Sequence, residues 1–267
     1  MQWTPEAEEA LGKVPFFVRQ RARARVEQEV AQAGKSHVTL SDVRTARQRM
    51  ISGMAAEVKG YQLELCFGPG GCPNPIMAAT PLSERIEKVL READLLGVLK
   101  SKGIRDLKHH HEFRVAIAEC PNACSQVQIK DIGIIAAHRP QVGAEACSEC
   151  NGCVTACREE AIHIDANPRP IIDAQRCVAC GQCIPACPTH TLVSGVKGWR
   201  VQLGGKLGRH PQLARELPGI YDEATVTGIV SACLELYKTR DRGGERFGTV
   251  LTPEAFRSLA ERFQPLA

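Results

Sequence analysis

The sequence predicts an α+β protein in which a cysteine-rich segment interrupts one mixed domain. Residues 51–143 and 196–267 contain both segments with the alternating pattern of strands and segments with the pattern of amphipathic helices. Eight of the thirteen cysteines crowd into residues 144–195 in a repeated pattern. Residues 1–50 carry helical signals instead. We therefore predict a small N-terminal helical module, a mixed domain in two pieces, and an inserted cysteine-rich domain.

The N-terminal module, residues 1–50, begins with a helix start signal. Thr4 can cap a helix whose first residue is Pro5, and Gly34 is typical of a helix end. A further helix is expected over residues 39–50 after a Thr or Ser cap. The apolar residues that we expect to form a modest core are Val14, Phe16, Phe17, Val18, Val26 and Val30.

The mixed domain shows both helical and strand periodicity. Two predicted strands lead directly into cysteines, Tyr61–Leu65 before Cys66 and Phe113–Ala118 shortly before Cys120. Further strands are expected over 127–136 and 199–203, helices over 81–99 and 222–238, a tight turn over 204–208, and a last helix from Thr252.

Composition narrows the class of function. The chain of 267 residues has 34 Lys and Arg against 30 Asp and Glu, and this formal charge of +4 is too small for a nucleic-acid surface. The N-terminus shows no export signal, and no apolar run approaches the roughly 20 residues that span a bilayer. We therefore expect a cytoplasmic protein without a membrane span, in which clustered cysteines bind metal.

The insert contains two CxxCxxCxxxC runs. This spacing lets three cysteines hold one 4Fe-4S cube, while the fourth cysteine of each run ligates the other cluster. Pro188 follows the second run as the bacterial pattern requires, whereas Arg158 replaces proline after the first. Tetrahedral zinc is the alternative, but zinc sites do not require a three-plus-one pattern twice. Cross-ligation assigns Cys147, Cys150, Cys153 and Cys187 to site 1, and Cys177, Cys180, Cys183 and Cys157 to site 2.

Four further cysteines stand in two pairs of another spacing. Cys66 and Cys72 enclose Phe-Gly-Pro-Gly-Gly, and Cys120 and Cys124 enclose Pro-Asn-Ala. Because each pair follows a predicted strand, two adjacent strand ends could present four thiolates to a third cluster, at site 3. The glycines of the first loop would let the backbone approach inorganic sulfide closely.

These residues carry three family resemblances. The two cysteine pairs, continued as Cys120-Pro-Asn-Ala-Cys-Ser-Gln-Val-Gln-Ile-Lys-Asp, resemble the sirohaem and 4Fe-4S half of nitrite and sulfite reductases, and residues 198–211 resemble the glycine-rich segment that closes that half. The insert resembles bacterial two-cluster ferredoxins and, in its position, dissimilatory and anaerobic sulfite reductases. Residues 1–50, through Trp3-Thr-Pro-Glu-Ala and Val14-Pro-Phe-Phe-Val-Arg, resemble the C-terminal domain of the light-independent protochlorophyllide reductase B subunit.

The reductase resemblance implies three 4Fe-4S clusters and a sirohaem whose iron is bridged by Cys124. Lys206, Arg209 and His210 are the candidate contacts to the carboxylates of the tetrapyrrole. This chain resembles only the second of the two halves of such reductases. The expected partners are therefore a redox protein, a second reductase subunit or further copies of this chain. The resulting hypothesis is an oxidoreductase or its electron-transfer subunit. The alternative is a non-catalytic three-cluster electron carrier without haem.

Overall fold

The computed structural model describes residues 1–104, 107–241 and 243–266, with backbone alone for 51–57 and 69. The chain divides into two compact units. The first comprises Met1–Val58 with Arg105–His110, and the second comprises Lys59–Ile104 with His111–Ala267.

The first unit is a helical module with two short strands. Its elements are β1 (Gln2–Trp3), α1 (Pro5–Gly12), α2 (Phe16–Gln32), β2 (His37–Val38) and α3 (Leu40–Glu57). The side chain of Thr4 caps α1, and Thr39 and Asp42 form a capping box at α3. Its core contains Val26 and Val30 as predicted. Phe16 and Phe17 do not belong to this core, because their side chains are 83% and 72% exposed.

The second unit contains the other elements of the described chain. In order these are β3 (Tyr61–Leu65), α4 (Thr80–Glu92), α5 (Leu95–Ser101), β4 (Phe113–Ala118), β5 (Ile132–Val142), α6 (Gly152–Ala156), β6 (Ile162–Ile164), β7 (Pro170–Ile172), β8 (Leu192–Leu203), β9 (Arg215–Glu216), α7 (Glu223–Arg240), α8 (Phe247–Val250) and α9 (Pro253–Arg262).

Five strands of the described residues form one mixed sheet in the order β3-β4-β5-β8-β9. The first three are parallel, with Leu65 opposite Ile117 and Ile117 opposite Ile134. β8 runs antiparallel to β5, with Ile134 opposite Val201. The carboxyl ends of β3, β4 and β5 therefore meet at the same edge of the sheet.

Helices cover one face of this sheet. Apolar side chains of α4 and α7 pack on alternate residues of the strands, such as Val115, Ile134 and Val201, all fully buried. Aromatic rings close one end of this core, with the ring centroids of Phe113 and Tyr237 5.2 Å apart. The core fixes the strands that lead into Cys66 and Cys120.

A loop covers the opposite face of the sheet. Ala116 and Ala118 of β4 pack against Ala123 and Val127, which lie in the loop that follows Cys120. Gly133 of β5 has no room for a side chain, because a Cβ there would overlap Val127. Small residues on this face therefore let the cysteine loop approach the sheet closely.

The helix expected over 39–50 is the longer α3, and three predicted elements of the second unit also differ from those observed. The helix expected over 81–99 is two helices, because Asp94 adopts a left-handed φ of 45° and caps α5 through the N–H of Gly97 at 3.1 Å. The strand expected over 127–136 begins at Ile132, after a 3₁₀ turn at Val127–Ile129. The strand expected over 199–203 is the end of the longer β8.

The cysteine-rich insert lies between the long paired strands β5 and β8. Pairing extends from Ile132 with Leu203 to Val142 with Leu192, so the chain leaves and re-enters the sheet at adjacent points. Inside the insert, β6 and β7 form a small antiparallel pair. Within the described residues, no helix is both long and apolar enough to cross a membrane.

Candidate metal centres

Site 3 lies at the carboxyl ends of β3 and β4. Because the two strands are parallel neighbours, Cys66 and Cys120 reach the same edge of the sheet. The N–H of Cys66 donates to the carbonyl oxygen of Ile117 at 3.1 Å and fixes the start of the first loop. The structure brings the four predicted residues together around one cavity, lined by Cys66, Cys72, Cys120 and Cys124.

Glu119 joins the segments of site 3. Its N–H donates to the Sγ of Cys66 at 3.3 Å, and its carbonyl oxygen accepts from Ile76 at 2.8 Å. Its side chain is buried, and Oε1 accepts from the N–H of Ala79 at 2.7 Å. A Cβ at Gly68 would overlap this carboxylate and would displace it from its hydrogen bond with Ala79.

The second loop of site 3 is held in an unusual conformation that leaves one thiol outside. Ala123 and Gln126 have left-handed φ angles of 51° and 56°. The buried Ser125 donates through Oγ to the carbonyl oxygen of Ile117 at 3.0 Å. Cys124 is exposed, whereas the other three cysteines of site 3 are half-buried. A group outside this chain could therefore reach Cys124.

Site 2 gathers cysteines from both runs. One cavity is lined by Cys157 of the first run and by Cys177, Cys180 and Cys183 of the second. This is the grouping that cross-ligation requires. Gly181 adopts a left-handed φ of 71°, and a Cβ there would lie 2.9 Å from the ring of His138. The N–H of His138 donates to Ala179 at 2.7 Å, which ties this loop to β5.

Site 1 combines two buried cysteines with two that are more accessible. Cys153 and Cys187 are 6% and 8% exposed and belong to the core of the insert. N–H groups of Glu149 and Leu192 donate to the Sγ atoms of Cys147 and Cys187, each at 3.4 Å. Such N–H···S bonds stabilise thiolates and adjust cluster potentials. Cys150, the fourth predicted ligand, is exposed.

The pKa shifts of three thiols reflect the same grouping. Burial raises the pKa of Cys120, of Cys153 and of Cys183, the last to about 12. Neighbouring thiolates raise each of these pKa values further. The pKa of Cys120 is raised by Cys72, Cys66 and Cys124, and that of Cys153 by Cys187 and Cys147. The pKa of Cys183 is raised by Cys180, Cys177 and Cys157. Gathered thiols of this kind favour a cationic group that stabilises their deprotonated form.

Cys187 shows the opposite shift. Burial acts to raise its pKa, but hydrogen bonds from Leu192, Thr189 and Thr191 hold that pKa below its ordinary value. The local backbone therefore already favours a thiolate at this position.

Arg200 anchors the insert to the sheet. Its Nη1 donates to the carbonyl oxygen of Val178, inside the second cysteine run, at 3.1 Å. Its Nε and Nη2 each donate to the carboxylate of Glu216 at 2.7 Å. Burial acts to raise the pKa of Glu216, but the hydrogen bonds from Arg200 and Gln202 hold it below its ordinary value. The loop of site 2 is thus fixed to β8 and β9.

The three candidate tetrapyrrole contacts lie on a loop beside the one that carries Cys124. The N–H of Ala214 donates to the carbonyl oxygen of Gln128 at 2.7 Å, which joins the two loops. The ammonium of Lys206 donates to Thr249 at 2.8 Å. Arg209 and His210 are exposed, with no hydrogen bond or ion pair to any other residue that the structure describes.

All thirteen cysteines lie within the described residues and are free thiols. In the described part of the chain, no group of three or more His, Cys, Asp or Glu side chains converges on a position for a single metal ion. The thirteenth cysteine, Cys233, is fully buried on α7, and burial raises its pKa. Of the other twelve, four line the cavity of site 3, four line that of site 2, and Cys147, Cys153 and Cys187 lie together at site 1.

Comparison with known families decides the classification. Residues 61–261 match the family described as the nitrite and sulphite reductase 4Fe-4S domain. The chain belongs to this family. Membership assigns an iron–sulfur redox role and an iron–sulfur cluster to it. Residues 3–47 match the proto-chlorophyllide reductase 57 kD subunit, in agreement with the resemblance of the N-terminal module.

One curated relative and two solved structures are similar to this member of the family. The coenzyme F420-dependent sulfite reductase of Methanocaldococcus jannaschii is 33% identical over 83 residues, which cover 31% of this chain and 11% of that protein. Dissimilatory sulfite reductase I aligns with a TM-score of 0.48 and 15% identity, over 82% of this chain and 57% of its own. The Mycobacterium tuberculosis NirA protein aligns with a TM-score of 0.38 and 18% identity, over 77% of this chain and 29% of its own.

Two residues of these sites were not identified from the sequence. Glu119 is a carboxylate at the end of an otherwise apolar strand, directly before a cysteine, and this position was the signal available. Arg200 gave no comparable signal, since its partners Val178 and Glu216 are distant in sequence.

Proposed function

We propose that this chain is an oxidoreductase subunit of the sulfite and nitrite reductase type. It would relay electrons through clusters at sites 1 and 2 to a cluster at site 3, and from there to a sirohaem-like tetrapyrrole. The observation that carries the proposal is the grouping of the cysteines: four line a cavity at site 3, four line a cavity at site 2, and Cys147, Cys153 and Cys187 lie together at site 1.

The residues present fit 4Fe-4S clusters. Sites 2 and 3 each bring four thiols together and site 1 brings three, to which Cys150 would add the fourth. Each site has a backbone N–H that donates to sulfur: Leu192 to Cys187, Ala161 to Cys157 at 3.3 Å and Glu119 to Cys66. When bound, such clusters accept and release single electrons. The chain's own contribution is to hold the thiolates, to shield them by burial and to direct N–H groups at sulfur.

The tetrapyrrole part of the proposal rests on Cys124 and its neighbouring loop. Cys124 is the exposed thiol of site 3, as a ligand shared with a second group must be. The exposed Arg209 and His210 lie on the loop that contacts Gln128; Arg209 offers a positive charge to carboxylates, and His210 offers a ring N–H donor. We propose that a second reductase subunit or another copy of this chain completes the site, and that a redox protein in the cytoplasm supplies electrons.

Anoxic purification followed by absorption spectroscopy and mass analysis of extracted pigment tests this function. The proposal predicts a tetrapyrrole in the intact complex and its loss in Cys124→Ala, with the clusters of sites 1 and 2 retained. Arg257→Ala is the matched surface control, since Arg257 is exposed on α9. Absence of any tetrapyrrole from the intact wild-type complex would refute the proposal that this chain passes electrons to a tetrapyrrole as part of a reductase.

One observation favours the second candidate, a three-cluster electron carrier without haem. The ammonium of Lys206 already donates to Thr249, so one of the three candidate contacts has a partner within the chain. This candidate predicts about twelve iron atoms per chain and no haem absorption. The pigment measurement separates the two candidates, and an iron-free, zinc-loaded anoxic preparation would refute both.

A further inference from the structure

A cavity of about 160 Å³ lies between site 2 and site 3. Cys180 of site 2 and Cys120 of site 3 both line it, as do Arg158, Glu159 and the polar residues Asn74, Asn122 and Gln182. We name this space the junction cavity. At this cavity, one cysteine of the insert, Cys180, and one cysteine at the sheet edge, Cys120, face the same space.

Arg158 stands on a tight turn at the rim of this cavity. The N–H of Glu160 donates to the carbonyl oxygen of Cys157 at 3.2 Å, which makes Arg158 the second residue of the turn. Proline is common at that position of a turn, and the ferredoxin motif places proline there, after the fourth cysteine. The backbone therefore does not require arginine, and the difference from the motif lies in the side chain.

The charge of Arg158 is not neutralised by a partner. No hydrogen bond or ion pair joins its side chain to another residue among those that the structure describes. The nearby Arg176, in contrast, pairs with Glu160 at 3.0 Å. Arg158 and Glu159 are the two charged residues that line the junction cavity, and Glu159 also lines the cavity of site 2.

We infer that Arg158 raises the reduction potentials of the clusters at sites 2 and 3, so that an added electron is more stable on these two clusters. This inference rests on the proposed function. With clusters bound, transfer across the junction would move one electron, so that the cluster of site 2 would be oxidised and that of site 3 reduced, and no proton or bond would be exchanged. Each reduced cluster carries one more negative charge, and a nearby guanidinium stabilises that charge.

Glu159 has the opposite effect at site 2. Its carboxylate lines both cavities and disfavours added negative charge on the cluster of site 2. Arg158 and Glu159 together therefore act on the difference between the two potentials, and this difference sets the direction of electron flow. Site 1 has no cysteine in the junction cavity, so its potential is the internal reference.

The test is an anoxic redox titration with dithionite, followed by electron paramagnetic resonance, on the full chain and its variants. Arg158→Gln is expected to lower the potentials of sites 2 and 3 and to leave that of site 1 unchanged. Arg158→Lys, which retains the charge, should restore both potentials, and Glu159→Gln should raise that of site 2. Single cysteine-to-serine variants of Cys153, Cys183 and Cys66 assign each signal to its site.

Arg169→Gln is the matched control. Arg169 is an exposed arginine of the same insert that donates to the carbonyl oxygen of Gly143 at 3.0 Å and does not line the junction cavity. It should leave all three potentials unchanged. Equal shifts at all three sites in Arg158→Gln, an unchanged site 3, or a shift in Arg158→Lys as large as in Arg158→Gln would overturn the inference. Iron well below about twelve atoms per wild-type chain would instead refute the proposed function.

Discussion

The insert and the strand-end site hold their cysteines in different ways. Sites 1 and 2 are built from two short runs: site 2 joins three thiols of the second run to Cys157 of the first, and site 1 joins Cys147 and Cys153 of the first run to Cys187 of the second. Site 3 is built from two loops that only the pairing of β3 with β4 brings together. The insert sites therefore depend on local backbone geometry, whereas site 3 depends on close packing across the sheet edge.

The strongest perturbation of the insert is the removal of a buried ligand. Cys183→Ser is expected to abolish the cluster of site 2, since this thiol is buried and three other cysteines of site 2 surround it. Iron should fall by about four atoms per chain, and site 3 should remain. Cys233→Ala, which removes a buried thiol remote from all three sites, should retain full iron. Loss of all iron in Cys183→Ser would show that the two regions do not assemble separately.

The corresponding perturbation of site 3 changes the packing around the cysteines and leaves all four cysteines in place. Gly68→Ala is expected to abolish or strongly reduce occupancy of site 3, because its Cβ would overlap the Glu119 carboxylate. Gly70→Ala, in the same loop, places its Cβ in open space and should bind a full complement of iron. Iron analysis and electron paramagnetic resonance measure both. Equal occupancy in the two variants would contradict the dependence of site 3 on close packing.

A smaller effect is expected where the two regions are joined. Arg200→Ala removes the donor to Val178 and leaves Glu216 without its bidentate partner. We expect a loss of about 1–3 kcal/mol in the free energy of unfolding, together with faster release of iron from site 2 to a chelator. Arg257→Ala, at an exposed pair with Glu254, should change neither quantity. Unchanged chelation kinetics in Arg200→Ala would show that this anchor does not support site 2.

The smallest effect is a pH dependence of the same anchor. Because Arg200 and Gln202 hold the pKa of Glu216 below its ordinary value of 4.5, its stabilising contribution is complete above that value. The contribution is lost as the pH falls through the lowered pKa of the folded state. Iron release from site 2 should therefore accelerate below about pH 4.5 in the wild type and depend less on pH in Glu216→Gln. Identical pH profiles would exclude Glu216 as the group responsible.

Patterns that lie within one short segment were accurate guides to the fold. The strands Tyr61–Leu65 and Phe113–Ala118 were predicted with the bounds that the structure has, because each alternates and ends at a cysteine loop. The helix break at Asp94 was missed, since apolar spacing continues across it while the backbone turns left-handed. Phe16 and Phe17 were expected in a core by composition and are exposed, because burial depends on neighbours that periodicity does not identify.

For the sites as well, features with a local sequence signal were predicted and features that depend on distant segments were not. The three cysteine groups were predicted from spacing and from the strands that precede them. The structure brings together all four residues of sites 2 and 3 and, at site 1, Cys147, Cys153 and Cys187. Their ligation of clusters stays a prediction. Glu119, Arg200 and the place of Arg158 at the junction cavity were not predicted, because the contacts of each join segments far apart in the chain.

The most direct test of the three-site account is the iron and acid-labile sulfide content of the anoxically purified wild-type chain. The account predicts about twelve of each per chain, with all three cysteine groups protected from alkylation. About eight of each, with Cys66, Cys72, Cys120 and Cys124 open to alkylation, would contradict the assignment of a cluster to site 3.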